Sequence, residues 1–139
     1  EGISEAITPF TPYKNDISVR VSKVPEFLDA VQALVQKDYP QFQIIWFGHI
    51  GDGNVHLNIL RPQEWTVADF KKECEQVSDG VMSIVEDFEG SISAEHGVGL
   101  LKRDQLGFTR SVEEIEIMKA IKAVLDPAAI MNPGKIFET

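Results

Sequence analysis

The sequence predicts an α+β domain of ferredoxin-like β-α-β-β-α-β order: an antiparallel sheet with helices on one face, then a C-terminal helix and an ordered tail. Three observations carry this expectation. The hydrophobic period switches between two and about 3.6 residues in that order along the chain. The Asp52-Gly53 pair stands between two alternating segments, the strongest short-range hairpin signal. A length of 139 residues with 43% hydrophobic content suits a single domain over residues 1–139 that buries about two-thirds of its unfolded surface.

The elements follow in order. Residues 16–22 (DISVRVS) alternate, with Ile17, Val19 and Val21 on one face, and read as a strand. From Val24 to Asp38, Phe27, Leu28, Val31, Leu34 and Val35 recur at helical spacing, Pro25 is tolerated in the first turn, and Pro40 follows the end. Residues 42–49 and 54–60 form the hairpin strands, and Pro62 stops the second. Thr66 with Asp69 marks a helix start, and Phe70, Val77, Val81, Ile84, Val85 and Phe88 continue it up to Gly90. SISAE, residues 91–95, alternates as a short fourth strand. Ser111 with Glu114 forms a capping box for a helix whose apolar stripe, Ile115, Met118, Ile121, Val124 and Leu125, is expected to pack onto the domain. Two prolines and a glycine in LDPAAIMNPGKIF then end helical structure in a tail lying across the surface.

Two of the three histidines fall in the hairpin. With Asp52 and Gly53 at a two-residue turn, His49 opposes His56, a spacing of about 4.5–5.5 Å between Cβ atoms from which both imidazoles reach one ion. Parity places Lys14, Ser18, His56, Asn58, Ser91, Ser93 and Glu95 on the face away from the helices. With strands one and three running parallel, Lys14, His49, His56 and Glu95 meet at one sheet edge. Two histidines and a carboxylate form a three-ligand set for zinc or a similar divalent ion. His96 follows Glu95, and the glycines at 97 and 99 let the strand end twist so that both side chains reach one site. His96 is then the free histidine, a general base with an ordinary pKa of about 6.5.

Each histidine alone is more often a hydrogen-bonded structural residue; three with a glutamate at one edge favour a site. The glycines of GDG and GVG also serve as plain turn residues, and GDGN lacks the lysine and helix start of a phosphate loop. Lys14 is equally compatible with a solvated lysine. Trp46 and Phe47 read as packing residues, and Lys102–Asp104 as a solvated helix start. A single cysteine, Cys74, excludes an internal disulfide and a zinc-thiolate cluster. Thirteen basic against twenty-two acidic residues, net −9, argue against a nucleic-acid surface and require local cations to capture an anionic substrate. No apolar run approaches the ~20 residues of a membrane span, so a cytoplasmic location is expected, or the mitochondrial matrix in a eukaryote.

YKNDISVRVSKVPEF (Tyr13–Phe27), FGHIGDGNVHLNI (Phe47–Ile59), AEHGVG (Ala94–Gly99) and LDPAAIMNPGKIF (Leu125–Phe137) resemble, in that order, the C-terminal domain of FAD-linked D-2-hydroxyacid dehydrogenases, the family of D-lactate and D-2-hydroxyglutarate dehydrogenases and the glycolate oxidase flavoprotein subunit. The resemblance implies a substrate- and metal-binding cap whose FAD-binding domain precedes it and is absent from this chain. It also implies that His49, His56 and Glu95 hold a divalent metal, typically zinc, with His96 as catalytic base. Lys14, Asn58 and, with looser spacing, Ser4 match substrate contacts, and Asn132 matches a position near FAD. An arginine gripping the substrate carboxylate precedes the family's segment resembling EGIS, and Glu1 starts one residue after it. Arg20 stands where many relatives carry proline, and it falls on the site face. The implied partner is a small D-2-hydroxyacid, oxidised to the 2-oxoacid; the electron acceptor and a homodimer are left open. A metal-dependent hydrolase domain and a ferredoxin-like small-molecule-binding module are the alternatives.

Overall fold

The computed structural model describes residues 2–138, so Glu1 and the expected arginine before it lie outside the described residues. Helix α1 (Gly2–Ile7), which hydrophobic spacing does not signal, leads through a 3₁₀ turn into β1 (Tyr13–Ser18). Then come α2 (Val24–Asp38), β2 (Gln43–His49), β3 (Asn54–Leu60), α3 (Val67–Asp87) and α4 (Val112–Leu125). The α+β class is as expected, and α2, β2, β3 and α3 fall within a residue of their predicted bounds.

The sheet has three strands in the order β1-β3-β2, antiparallel throughout. β1 is therefore antiparallel to β3, correcting the parallel pairing expected of strands one and three. The hairpin inserts β3 between β1 and β2, and the two outer strands, linked through α2, run in the same direction. The expected fourth strand reduces to one antiparallel bridge, Ser18 to Ser91, followed by a hydrogen bond from Ala94 N to Asp16 O of 3.4 Å. Local side-chain bonds compete with the ladder here: Ser91 Oγ donates to Ser93 O at 2.9 Å and accepts from Ser93 N at 3.3 Å.

β1 also begins and ends earlier than predicted. After Ser18 the backbone N–H of Val19 bonds to Gly53 O at 3.1 Å, and a 3₁₀ turn starts at Val21, which is exposed. Arg20 points into solvent and pairs with the exposed Glu89, so it leaves the site face to which sequence parity assigned it.

The hairpin register differs by two residues from the expected one. His49 pairs with Asn54, and His56 pairs with Phe47 on one side and Asp16 on the other. Asp52 and Gly53 occupy the last two positions of a four-residue loop, because the Asp52 carboxylate accepts Asn54 N at 3.0 Å and successive turns bond Asp52 N to His49 O and Gly53 N to Ile50 O. Gly53 adopts φ +74, and a β-carbon there would meet Val19 O at 1.9 Å. A two-residue shift preserves parity, so His49 and His56 remain on one face.

On the other face Ile17, Val55, Leu57 and Ile59 are buried against Phe27, Val31 and Val35 of α2 and Phe70, Cys74, Val77, Val81 and Val85 of α3. Phe27 packs edge-on to Phe88, with ring centroids 5.6 Å apart. Burial, with the Glu73 and Glu75 charges adding to it, pushes the Cys74 thiol up to about 12, consistent with an inert packing residue.

Helix α3 is capped by Thr66, whose hydroxyl accepts Asp69 N, and α4 carries the complete Ser111–Glu114 capping box. α4 packs onto the domain only in part: of its expected stripe Ile115 and Met118 are half-buried, and Ile121, Val124 and Leu125 are not covered. None of its residues is buried, and Val112, Ile117, Ile121, Val124 and Leu125 are exposed. Periodicity identifies which stripe of a helix is apolar, not what covers it. The tail is ordered by Asp126, whose carboxylate accepts Ile130 N and Met131 N, and by a bond from Ile136 N to Gly99 O of 2.8 Å. Among the described residues no helix is long and apolar enough to cross a membrane.

Gly48 tests the strand contact that sets the register. A β-carbon there would lie 2.1 Å from Asn54 O, whereas one at Gly51 meets nothing within 4 Å. Gly48→Ala should cost about 1–3 kcal/mol in chemical denaturation, and Gly51→Ala should leave the midpoint nearly unchanged.

Candidate metal and substrate site

The polar face of the sheet forms the floor of a cavity of about 570 Å³, whose lining includes Ser4, Lys14, Asp16, Phe47, His56, Asn58, Glu95, His96 and Lys102. Strand alternation places Lys14, Asp16, His56 and Asn58 on that floor: Lys14 is opposite Asn58, and Asp16 opposite His56. Because β1 runs antiparallel to β3, Lys14 lies beside Asn58, away from the His49 end of the sheet. His49 lines a second cavity of about 550 Å³ that shares Ser4, Phe47 and His56 with the first. Phe47, expected to be a packing residue, forms wall to both, with its ring centroid 5.0 Å from that of His56.

His49, His56 and Glu95 converge. One ligand-type atom from each lies within 4.8 Å of the others, and His49 Nδ1 is 2.7 Å from Glu95 Oε1. Asn54, almost fully buried, also donates its side-chain amide to Glu95 Oε1. The donor set of two imidazole nitrogens and a carboxylate oxygen suits zinc or another borderline divalent ion. The His56 side chain is 15% exposed against 65% for His49 and 41% for Glu95, so the cluster is half-buried at His56 and open on the side of the other two. The residues fit a divalent cation.

His96 stands beside this set, its ring centroid 5.9 Å from that of His56. Glu95 and His96 are neighbours in the chain, yet both line the cavity. Gly97 follows them at φ +78, and Asp16 Oδ2 accepts the backbone N–H of both Glu95 and His96 at 2.9 Å. Burial works against ionisation of Asp16; those two N–H bonds and the His96 and Lys102 charges outweigh it and hold the carboxyl below its ordinary pKa.

Local spacing marks neither Asp16 nor Asn54, and it places Lys102 in a solvated helix start. The Lys102 ammonium donates to Asp16 O at 2.9 Å and Ile92 O at 2.5 Å, joining β1 to the irregular segment beside it. Burial lowers its pKa, partly offset by Asp16. Nothing in local spacing marks Lys102, because its partners lie ten and eighty-six residues away. Asn58 is buried, and its amide donates to Ile45 O at 3.4 Å and His56 O at 3.2 Å, leaving its carbonyl oxygen as acceptor. Ser4 reaches both cavities from α1. Asn132 lies apart in the tail, exposed and left-handed at φ +49.

Residues 5–136 match the family described as FAD linked oxidases, C-terminal domain. The chain belongs to that family. It is 55% identical over its whole length to the D-2-hydroxyglutarate dehydrogenase of Xanthomonas citri pv. viticola and 59% identical over 137 residues, 99% of the chain, to that of Stutzerimonas stutzeri. A D-lactate dehydrogenase of Anaerostipes hadrus is 36% identical over 87% of the chain. The chain spans 29%, 30% and 25% of those three relatives, so in each of them this FAD-linked oxidase domain accompanies a larger remainder.

Lys102→Met should leave two carbonyls without their charged donor. Native-state hydrogen exchange should show loss of protection at Ser91 and Ala94, with a global cost of about 1.5–3 kcal/mol.

Proposed function

We propose that this chain is the substrate- and metal-binding part of an FAD-dependent dehydrogenase that oxidises a D-2-hydroxyacid, D-2-hydroxyglutarate before D-lactate, to the 2-oxoacid. The observation that carries this reading is the convergence of His49, His56 and Glu95 with His96, beside a cavity lined by Lys14 and Asn58. Family membership and the relatives' names support the flavin and the hydroxyacid.

The chemistry divides among the residues as follows. Lys14, exposed on the floor of a cavity in a chain of net charge −9, attracts and orients a substrate carboxylate. Asn58 offers its carbonyl oxygen to a hydroxyl, and Ser4 closes the rim between the two cavities. His49, His56 and Glu95 hold the cation. When bound, a divalent cation supplies Lewis-acid polarisation of the hydroxyl, and the flavin supplies the hydride acceptor. His96 takes the hydroxyl proton as the α-carbon gives up its hydride, so two electrons and two protons leave the substrate in all. Asn132 belongs to the flavin side.

Two predictions test this in the full-length protein. Alone, His49→Ala, His56→Ala and Glu95→Ala should each deplete bound zinc and abolish turnover while FAD remains, read by elemental analysis beside the flavin spectrum. Full metal occupancy in all three would refute the ligand assignment.

His96→Asn should keep both metal and FAD and still bind substrate. Its flavin bleaching on rapid mixing with D-2-hydroxyglutarate should slow by about 10²- to 10⁴-fold. Near-normal bleaching would remove the base role, and bleaching lost together with the metal would make His96 a fourth ligand.

A further inference from the structure

One buried carboxylate faces the whole constellation without belonging to it. Asp16 lies in β1 and is 5% exposed. Its Oδ2 accepts the N–H of Glu95 and of His96, each at 2.9 Å, and the Ser93 hydroxyl at 3.5 Å, with His96 Nδ1 also 3.5 Å away. Its Oδ1 is buried without a hydrogen-bond partner, and His56 Nδ1 stands 3.7 Å from it.

We propose that Asp16 is a positioning residue that organises the site from beneath: Oδ1 holds the His56 proton on Nδ1, leaving Nε2 as the ligand nitrogen, while Oδ2 anchors the backbone that aims Glu95 and His96 into the cavity. For the metal this rests on the reading given above. A neutral imidazole carries one N–H, and the partner of one nitrogen decides which. A buried carboxylate oxygen is costly to leave unpaired, and His56 Nδ1–H is the group placed to satisfy it. Metal-ligating histidines characteristically give their second N–H to such an acceptor, which fixes ring orientation and raises ligand basicity. The two consecutive N–H groups on Oδ2 do complementary work. In an extended strand, Glu95 and His96 would project to opposite faces, whereas both amides turned onto one oxygen bring the two side chains to one cavity. Lys102 completes the arrangement by holding the carbonyl oxygens of Asp16 and Ile92 together.

The experiment uses the full-length protein with ¹⁵N-labelled histidine, and His56→Gln to assign the resonances. Long-range ¹H–¹⁵N spectra of the metal-free protein should show His56 as the Nδ1–H tautomer, and His56 found as the Nε2–H tautomer overturns the proposal. In Asp16→Asn, which keeps one acceptor oxygen for the two backbone amides, the tautomer preference should be lost. Zinc affinity by chelator competition should fall about 10- to 100-fold. Unchanged zinc affinity in folded Asp16→Asn also overturns it. Failure of Asp16→Asn to fold leaves the tautomer in the unsubstituted protein as the deciding result. A parent that takes up no zinc refutes the metal reading instead, and the metal-free tautomer still decides the role of Asp16.

Discussion

The two-sided alternation of β3, held between β1 and β2, is the constraint on which the molecule depends. Val55, Leu57 and Ile59 point to the helices, and His56 and Asn58 point to the cavity. Because β3 is central and antiparallel to both neighbours, its register fixes the partner of every site residue on the floor: Asp16 and Phe47 for His56, and Lys14 and Ile45 for Asn58. A slip of one residue would put the imidazole of His56 into the core and Leu57 into the cavity. Apolar burial on one face and site geometry on the other are therefore one constraint.

The site departs from regular structure where its chemistry requires it. A continuous fourth strand would send Glu95 and His96 to opposite faces. The chain instead bridges β1 at Ser91, gives Ala94 N to the Asp16 carbonyl, and then hands the next two amides to the Asp16 carboxylate. That exchange replaces ladder bonds with charge-assisted ones, which are the stronger kind. Lys102, half-buried at the cavity wall, brings a cation close to that carboxylate and bonds the backbone carbonyl of Asp16, in a chain of net charge −9.

Parity explains why the polar residues keep a common face although the sheet differs from the expected one in two respects. The hairpin loop is longer than a two-residue turn, and β1 runs antiparallel to β3, yet Lys14, His56 and Asn58 still share a face. A register error of two residues leaves sidedness intact. Arg20 shows the limit of the argument: parity assigns it to the site only while the strand continues, and β1 has ended by Ser18.

The sequence by itself determined what depends on near neighbours along the chain. Helical spacing bounded α2 and α3, the Ser-x-x-Glu pattern located the cap of α4, and alternation sorted His56 and Asn58 from Val55 and Leu57. The motifs around His49, His56, Glu95 and His96 pointed to the family. Only the tertiary structure decided what depends on distant partners. Asp16 reads as one more polar residue at a strand start until residues 95 and 96 come beside it, and Lys102 reads as solvated until Ile92 and Asp16 turn their carbonyls toward it. The apolar stripe of α4 was legible as a stripe, but its exposure was not. Periodicity records the amphipathicity of an element, and long-range contact alone decides which buried polar groups share a partner and which apolar faces are covered.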